Sequence, residues 1–272
     1  MNAKDPTPDI RPSRPQRPPP PLDISRAGGL FSERQIALPL TISLLLTLAL
    51  YPTLMHFLDP TRLPEALGRY LGNGYCRFML AIFVATSFYS ALQYLGLVGE
   101  RHHLGQRFGP NTERRPSRLQ DWIGFLSGRR HQDEDTVPAA LQRWYGQARA
   151  REDVIHLSDY VLLARGQQHQ HNFAPIGFAI WVLPLLGFIG TVIGITQAIG
   201  GLETSVTPSD AGGSGLAGVL GGLKFAFDTT FVGLVLVIPT MLALLVLRAR
   251  AQKLDMLYYQ MLLDRLFRDA DD

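Results

Sequence analysis

FAPIGFAIWVLPLLGFIGTVIGITQAIGGL, residues 173–202, runs for thirty positions without a formal charge. About 20 apolar residues are enough for an α-helix to cross the hydrocarbon core of a bilayer. Three more stretches share this character. Gln35–Leu58 contains IALPLTISLLLTLALYPTLMHFL and carries no formal charge. Phe78–Gly99 reads FMLAIFVATSFYSALQYLGLVG, and Leu216–Leu247 holds only Lys224 and Asp228 as charges. A soluble helical protein can wrap one such segment, but 272 residues leave too little chain to wrap four. The expected fold class is an all-α integral membrane protein with four transmembrane helices and a helical cytoplasmic insert.

Composition agrees once it is read by segment. Hydrophobic residues make up 46% of the chain and charged ones 18%, against about 25% charged in soluble domains. The charges crowd outside the four stretches. A net charge of +3 could suggest nucleic acid, but the arginines flank apolar segments, as membrane anchors do. The single cysteine, Cys76, excludes an intramolecular disulfide and a cysteine-based metal cluster. Prolines occupy the N-terminal region where a signal peptide would need an apolar run.

Lys and Arg set the expected orientation. Six lie in residues 1–34, three in the first connection (Arg62, Arg69 and Arg77), eleven in 100–171, none between the third span and Lys224, and five from Arg248 onward. Both termini and residues 100–171 are therefore expected in the cytoplasm, with 59–77 and 203–215 outside.

Five regions follow. Residues 1–34 form a proline-rich tail (RPSRPQRPPPPLDI) that cannot bury enough surface to fold and favours polyproline conformations. Residues 35–99 form the first transmembrane hairpin. In the cytoplasmic region 100–171, Leu119, Trp122, Ile123 and Leu126, and later Val154, Leu157, Val161 and Leu162, recur at helical spacing. Gly109-Pro110 and HQDEDTVP break it. Its histidines, His102, His103, His131, His156, His169 and His171, fit no standard metal spacing, so neither metal nor cofactor is expected. Residues 172–247 form a second hairpin, and 248–272 an amphipathic C-terminal helix with Leu254, Leu257, Met261, Leu262 and Leu266 on one side.

The second hairpin carries the chemical information. Gly190 and Gly194 form a GxxxG, and Gly187, Thr191, Gly194 and Ala198 make a stripe of small residues. Pro184 precedes them. Such stripes let membrane helices approach closely. Two roles are open to Thr191: bonding its own backbone, or facing a wet lumen. In the last span, Ala226, Thr230, Gly233 and Val237 share one face at 100° per residue, and Thr229 points away from it. Lys224 and Asp228 sit four apart and can pair. A charge at membrane depth costs about 2.5–3.5 kcal/mol on insertion scales. The pair either neutralises itself between helices or handles ions directly. Pro239 frees a carbonyl one turn earlier and predicts a kink.

GFIGTVIGI, followed some 35 residues later by FDTTFVGLVLVIPTML, resembles the MotA/TolQ/ExbB proton-channel family over about Pro184–Leu247. Four spans with an insert between the second and third are similar to the flagellar MotA layout. The resemblance implies a homopentameric ring in a bacterial inner membrane, with the last two spans lining a lumen. It implies a single-span partner of the MotB, TolR or ExbD kind, whose intramembrane Asp takes and releases protons. Thr191 and Thr230 match the family's hydroxyl positions beside that acid. The acidic residue that ExbB and TolQ carry about a turn before the last-span threonine is Phe225 here. Its role has either moved to Asp228 or been lost.

The functional expectation is a stator-like subunit coupling the proton gradient to mechanical work, with Thr191, Thr230, Thr229 and Asp228 on the proton path. Gly187, Gly190, Gly194, Gly233, Pro184 and Pro239 are expected to shape helix packing. The alternative is a non-conducting scaffold that uses its small-residue faces only for assembly. Enzymatic activity is not expected: no GxSxG or HExxH occurs, no catalytic residue can be named, and Asp228 is the sole intramembrane carboxylate.

Overall fold

A computed structural model describes residues 34–57, 65–108, 151–205 and 213–268. The described residues form helices α1 (Arg34–Phe57), α2 (Glu65–Gly72), α3 (Gly74–Phe108), α4 (Arg151–Asn172), α5 (Ala174–Ser205) and α6 (Gly213–Arg268). Among the described residues, four stretches are long and apolar enough to cross a membrane: Ile36–His56, Gly74–Arg101, Arg165–Leu202 and Gly215–Gln260. The N-terminal tail, the Gly109-Pro110 and HQDEDTVP breaks, the Leu119–Leu126 pattern, and the side chains of His102, His103, His131, His156, Val154, Leu157, Val161, Met261, Leu262 and Leu266 lie outside the described residues.

The local sequence explains how the helices join. Gly72-Asn73-Gly74 separates α2 from α3, and Asn73 caps α3 by accepting a 3.0 Å bond from the Tyr75 amide at its side-chain oxygen. Arg77 then donates back to the Leu71 carbonyl. Helix α4 passes into α5 through Phe173 alone; Pro175 in the first turn of α5 lacks an N–H, which that position does not need. Pro39, Pro52, Pro184 and Pro239 all lie inside helices. Helix α6 is continuous through Pro239 and past the expected boundary at 247.

Helices α5 and α6 form the most extensive pair, and α3 packs against both. Helix α1 touches the rest mainly through α3. There Ser43 and Thr47 are buried and satisfy their hydroxyls on backbone carbonyls three and four residues back. Tyr51 donates to the Arg77 carbonyl at 2.7 Å. Two apolar clusters lie along the bundle. One joins Tyr89 and Leu97 of α3 to Phe173, Ile176, Leu244, Leu247, Ala251 and Leu254. The other joins Cys76 and Met79 to Leu183 near the start of α3.

Large apolar side chains also point outward: Leu48 is 72% exposed and Trp181 66%. Faces this apolar need lipid or another protein chain against them. The start of α3 fixes the level of the hairpin beside it. The Tyr75 hydroxyl donates to the Leu186 carbonyl at 2.8 Å, and the Tyr75 ring lies 5.9 Å from that of Phe225. Helix α6 begins at Gly213, so the α5–α6 hairpin reaches roughly 18 Å beyond this level at 1.5 Å per residue.

Candidate functional site

The glycines expected to pack helices do so within this chain. A Cβ on Gly194 would lie 2.6 Å from the Gly222 carbonyl oxygen and 2.7 Å from the Ala226 nitrogen. On Gly190 it would meet Thr229 Cβ at 2.5 Å, on Gly233 the Leu183 oxygen at 2.8 Å, and on Gly187 the Thr229 oxygen at 3.2 Å. At Gly194 and Gly233 the nearest neighbours are backbone atoms, so α5 and α6 meet backbone to backbone there, while Gly190 makes room for the Thr229 side chain. Helix α6 of the same chain covers the stripe.

The face of α6 carrying Ala226, Thr230 and Gly233 is the one packed on α5, so it is not a free lumenal face. It brings the two hydroxyls together. Thr191 and Thr230 are within hydrogen-bonding contact of each other. Thr230 also lies 3.1 Å from the Ala226 carbonyl and 3.3 Å from that of Gly187, and Thr191 lies 3.2 Å from the Gly187 carbonyl. Of the two roles considered for Thr191, the structure shows the bond to its own backbone, together with the contact to Thr230. Both residues are partly exposed, so the pair is open at one edge of the seam. Thr229 is fully buried against Gly190 and donates to the Phe225 and Ala226 carbonyls, each at 3.0 Å. Its surroundings are those of a packing residue.

Asp228 is buried, with its side chain 5% exposed, but Lys224 is not its partner. Arg69 of α2 takes the carboxylate with two nitrogens: Nε donates to Oδ2 at 2.9 Å and Nη2 to Oδ1. Lys224 is exposed. The physical reason is geometric. A guanidinium fork matches both carboxylate oxygens, whereas an ammonium is a point charge. A cation four residues before the acid is also the weaker orientation on a helix. The bond to Asp228 raises the Arg69 guanidinium above its ordinary value; desolvation opposes this and the Asp228 charge adds to it. Arg69 therefore acts as a fixed cation.

The sequence reading saw Arg69 only as a membrane anchor, 159 positions from Asp228. A usable signal existed: a lone intramembrane carboxylate needs a cation, and the first connection offers three.

A second ionic group went unforeseen at the opposite end of α3. Arg165 of α4 bridges Glu100 of α3 and Asp255 of α6, each at 2.9 Å. It also lies over the Tyr258 ring, 4.0 Å from its centroid. Tyr258 donates to Glu100 at 3.2 Å, and His169 stands 3.3 Å from Asp255. Arg165 and His169 are buried here among three helices.

Residues 130–260 match the model of the MotA/TolQ/ExbB proton channel family. The match holds α4, α5 and most of α6, and with them Thr191, Thr230, Asp228 and every glycine of the seam. Comparison with curated proteins and with solved structures gave no match. Four apolar helices among the described residues, together with the match to a membrane-channel family model, make this a multi-pass membrane protein.

Proposed function

From this family match we propose that the chain is a stator-like proton-channel subunit. It couples the proton gradient across a bacterial inner membrane to mechanical work on a single-span partner of the ExbD, TolR or MotB kind. The observation that carries the reading is the meeting of Thr191 and Thr230 inside a seam closed by glycine contacts on either side. Each hydroxyl has one donor and two acceptor sites. Two protons therefore serve two hydroxyl oxygens and the carbonyls of Gly187 and Ala226. Either threonine can donate to the other while the second donates to a carbonyl. Both arrangements satisfy the pair and leave an acceptor lone pair at its open edge.

An intramembrane Asp on the partner fits such a pair in either protonation state. The protonated acid donates to a threonine oxygen. The carboxylate accepts once a hydroxyl turns outward. The chain thus supplies neutral groups that orient the acid, and the acid does the titrating. The reading has the subunits as a homopentamer, both termini and residues 100–171 in the cytoplasm, and α2 on the outer side. It includes no enzymatic step.

The test is proton flux in vesicles holding the chain with a partner that bears an intramembrane Asp. Thr191→Val and Thr230→Val keep shape and remove the hydroxyl. Each should leave folding intact and lower flux. Wild-type flux from both would refute the role of the threonine pair, whereas no flux from the wild-type chain with its partner would refute the channel and leave the scaffold alternative.

A further inference from the structure

Helix α6 is pinned on three sides within one turn. Asp228 is held by Arg69 of α2. Thr229 fills the space beside Gly190, and Thr230 meets Thr191. The next residue, Phe231, stacks on Tyr70 of α2 with ring centroids 5.4 Å apart. Successive helical residues point 100° apart. A rotation of α6 that draws Asp228 off Arg69 therefore also turns Thr230 off Thr191.

We infer that Arg69 is a positioning residue for proton transfer: its forked grip on Asp228 sets the rotation of α6 and so keeps Thr230 against Thr191. The inference rests on the role proposed above for the two threonines. It also gives Asp228 a function different from the one its lone position suggests. With both oxygens bound by a fixed cation, the carboxylate acts as a handle on α6, and protons pass elsewhere. Two further features support the handle. Arg69 reaches inward from a side chain 43% exposed, while Asp228 is 5% exposed, so the fork is the polar group that meets the buried acid from the surface. Exposed Lys224 stands one turn away on the same helix. A pair with Lys224 would lie within α6 and would tie it to no other helix, and an ammonium has no fork to fix the orientation.

The experiment uses the full chain in vesicles with a single-span, Asp-bearing partner, reading proton flux and the yield of folded protein. Arg69→Gln should lower flux roughly 10–100-fold, as expected when reacting groups are displaced by about 1 Å. Arg69→Lys keeps the charge without the fork and should give an intermediate flux. The exchange Arg69→Asp with Asp228→Arg should restore flux that either change alone removes. Cys76, the sole native cysteine, is buried, so Arg69→Cys offers one accessible thiol. Attaching an aminoethyl group should recover part of the flux, and a carboxyethyl group none.

Wild-type flux in Arg69→Gln or Arg69→Lys would overturn the positioning role. So would a loss of flux and folded yield together that neither the exchange nor aminoethylation repairs, because the residue would then only hold the fold. Absence of flux in the wild-type complex would instead refute the proposed function, and that result reads separately from any variant.

Discussion

Gly221 and Gly222 are adjacent in sequence and opposite in consequence. A Cβ on Gly222 would stand 2.5 Å from both the Ala198 nitrogen and the Gly194 oxygen. Both atoms belong to the α5 backbone, so no rotamer change can relieve the overlap. The separation must open by ~0.9 Å to reach ordinary contact at 3.4 Å. A Cβ on Gly221 would meet nothing within 4 Å. Gly222→Ala therefore forces α6 away from α5. Overpacking of this kind costs about 1–3 kcal/mol, offset by up to ~1 kcal/mol of gained helix propensity. Gly221→Ala gains the propensity term alone. The two variants should differ by about 1–3 kcal/mol in unfolding free energy, with Gly222→Ala the less stable. Thermal unfolding in one detergent, read by circular dichroism and by retention of folded protein on a sizing column, measures the difference. Proton flux gives a second readout, since parting the helices beside Gly194 loosens the Thr191–Thr230 pair one turn away. Equal stability of the two variants would refute the close seam between α5 and α6.

Other outcomes follow from the same contacts. Arg165→Met should destabilise the protein by about 3 kcal/mol, the lower end for breaking a buried pair because Glu100 and Asp255 keep 15% and 20% exposure. Neutralising all three residues together should recover part of that loss in the same melting assay. Gly200→Ala meets open space and should leave melting unchanged or slightly raised, whereas Gly194→Ala should lower it as Gly222→Ala does. Reporter fusions at Gly109 and Asp210 should report opposite compartments; the same compartment for both would sink the four-span arrangement.

The elements legible in the sequence were those set by local chemistry. Runs such as Phe173–Leu202 declare membrane helices because 272 residues cannot bury four of them in a soluble core. The glycine stripe announced close packing, and the 100° helical period alone places Thr230 with Ala226 and Gly233. Partner choice stayed hidden. Small residues invite a backbone, but their spacing is the same whether that backbone belongs to α6 or to a second subunit. Connectivity decides it: the short link between Ser205 and Gly213 keeps α6 beside α5, where the seam closes within one chain.

The ion pairs were hidden for a related reason. Lys224 is four residues from Asp228, and helical arithmetic favours local partners. Arg69 reaches the same carboxylate only because the Gly72-Asn73-Gly74 break returns α2 to the level of Phe225 and Phe231. Glu100, Arg165 and Asp255 looked like ordinary flanking charges because nothing local links them, yet they sit where α3, α4 and α6 converge. The two ionic groups bracket the bundle, one near the start of α3 and one past its apolar run, and each fastens α6 to an element outside the hairpin. Between them α6 meets α5 and α3 through glycine, apolar side chains, buried Thr229 and the threonine pair. Of these contacts the threonine pair alone joins hydroxyls across the seam and reaches its open edge. A proton carrier approaching from outside the hairpin would therefore meet polar atoms at this point, held in place from both ends.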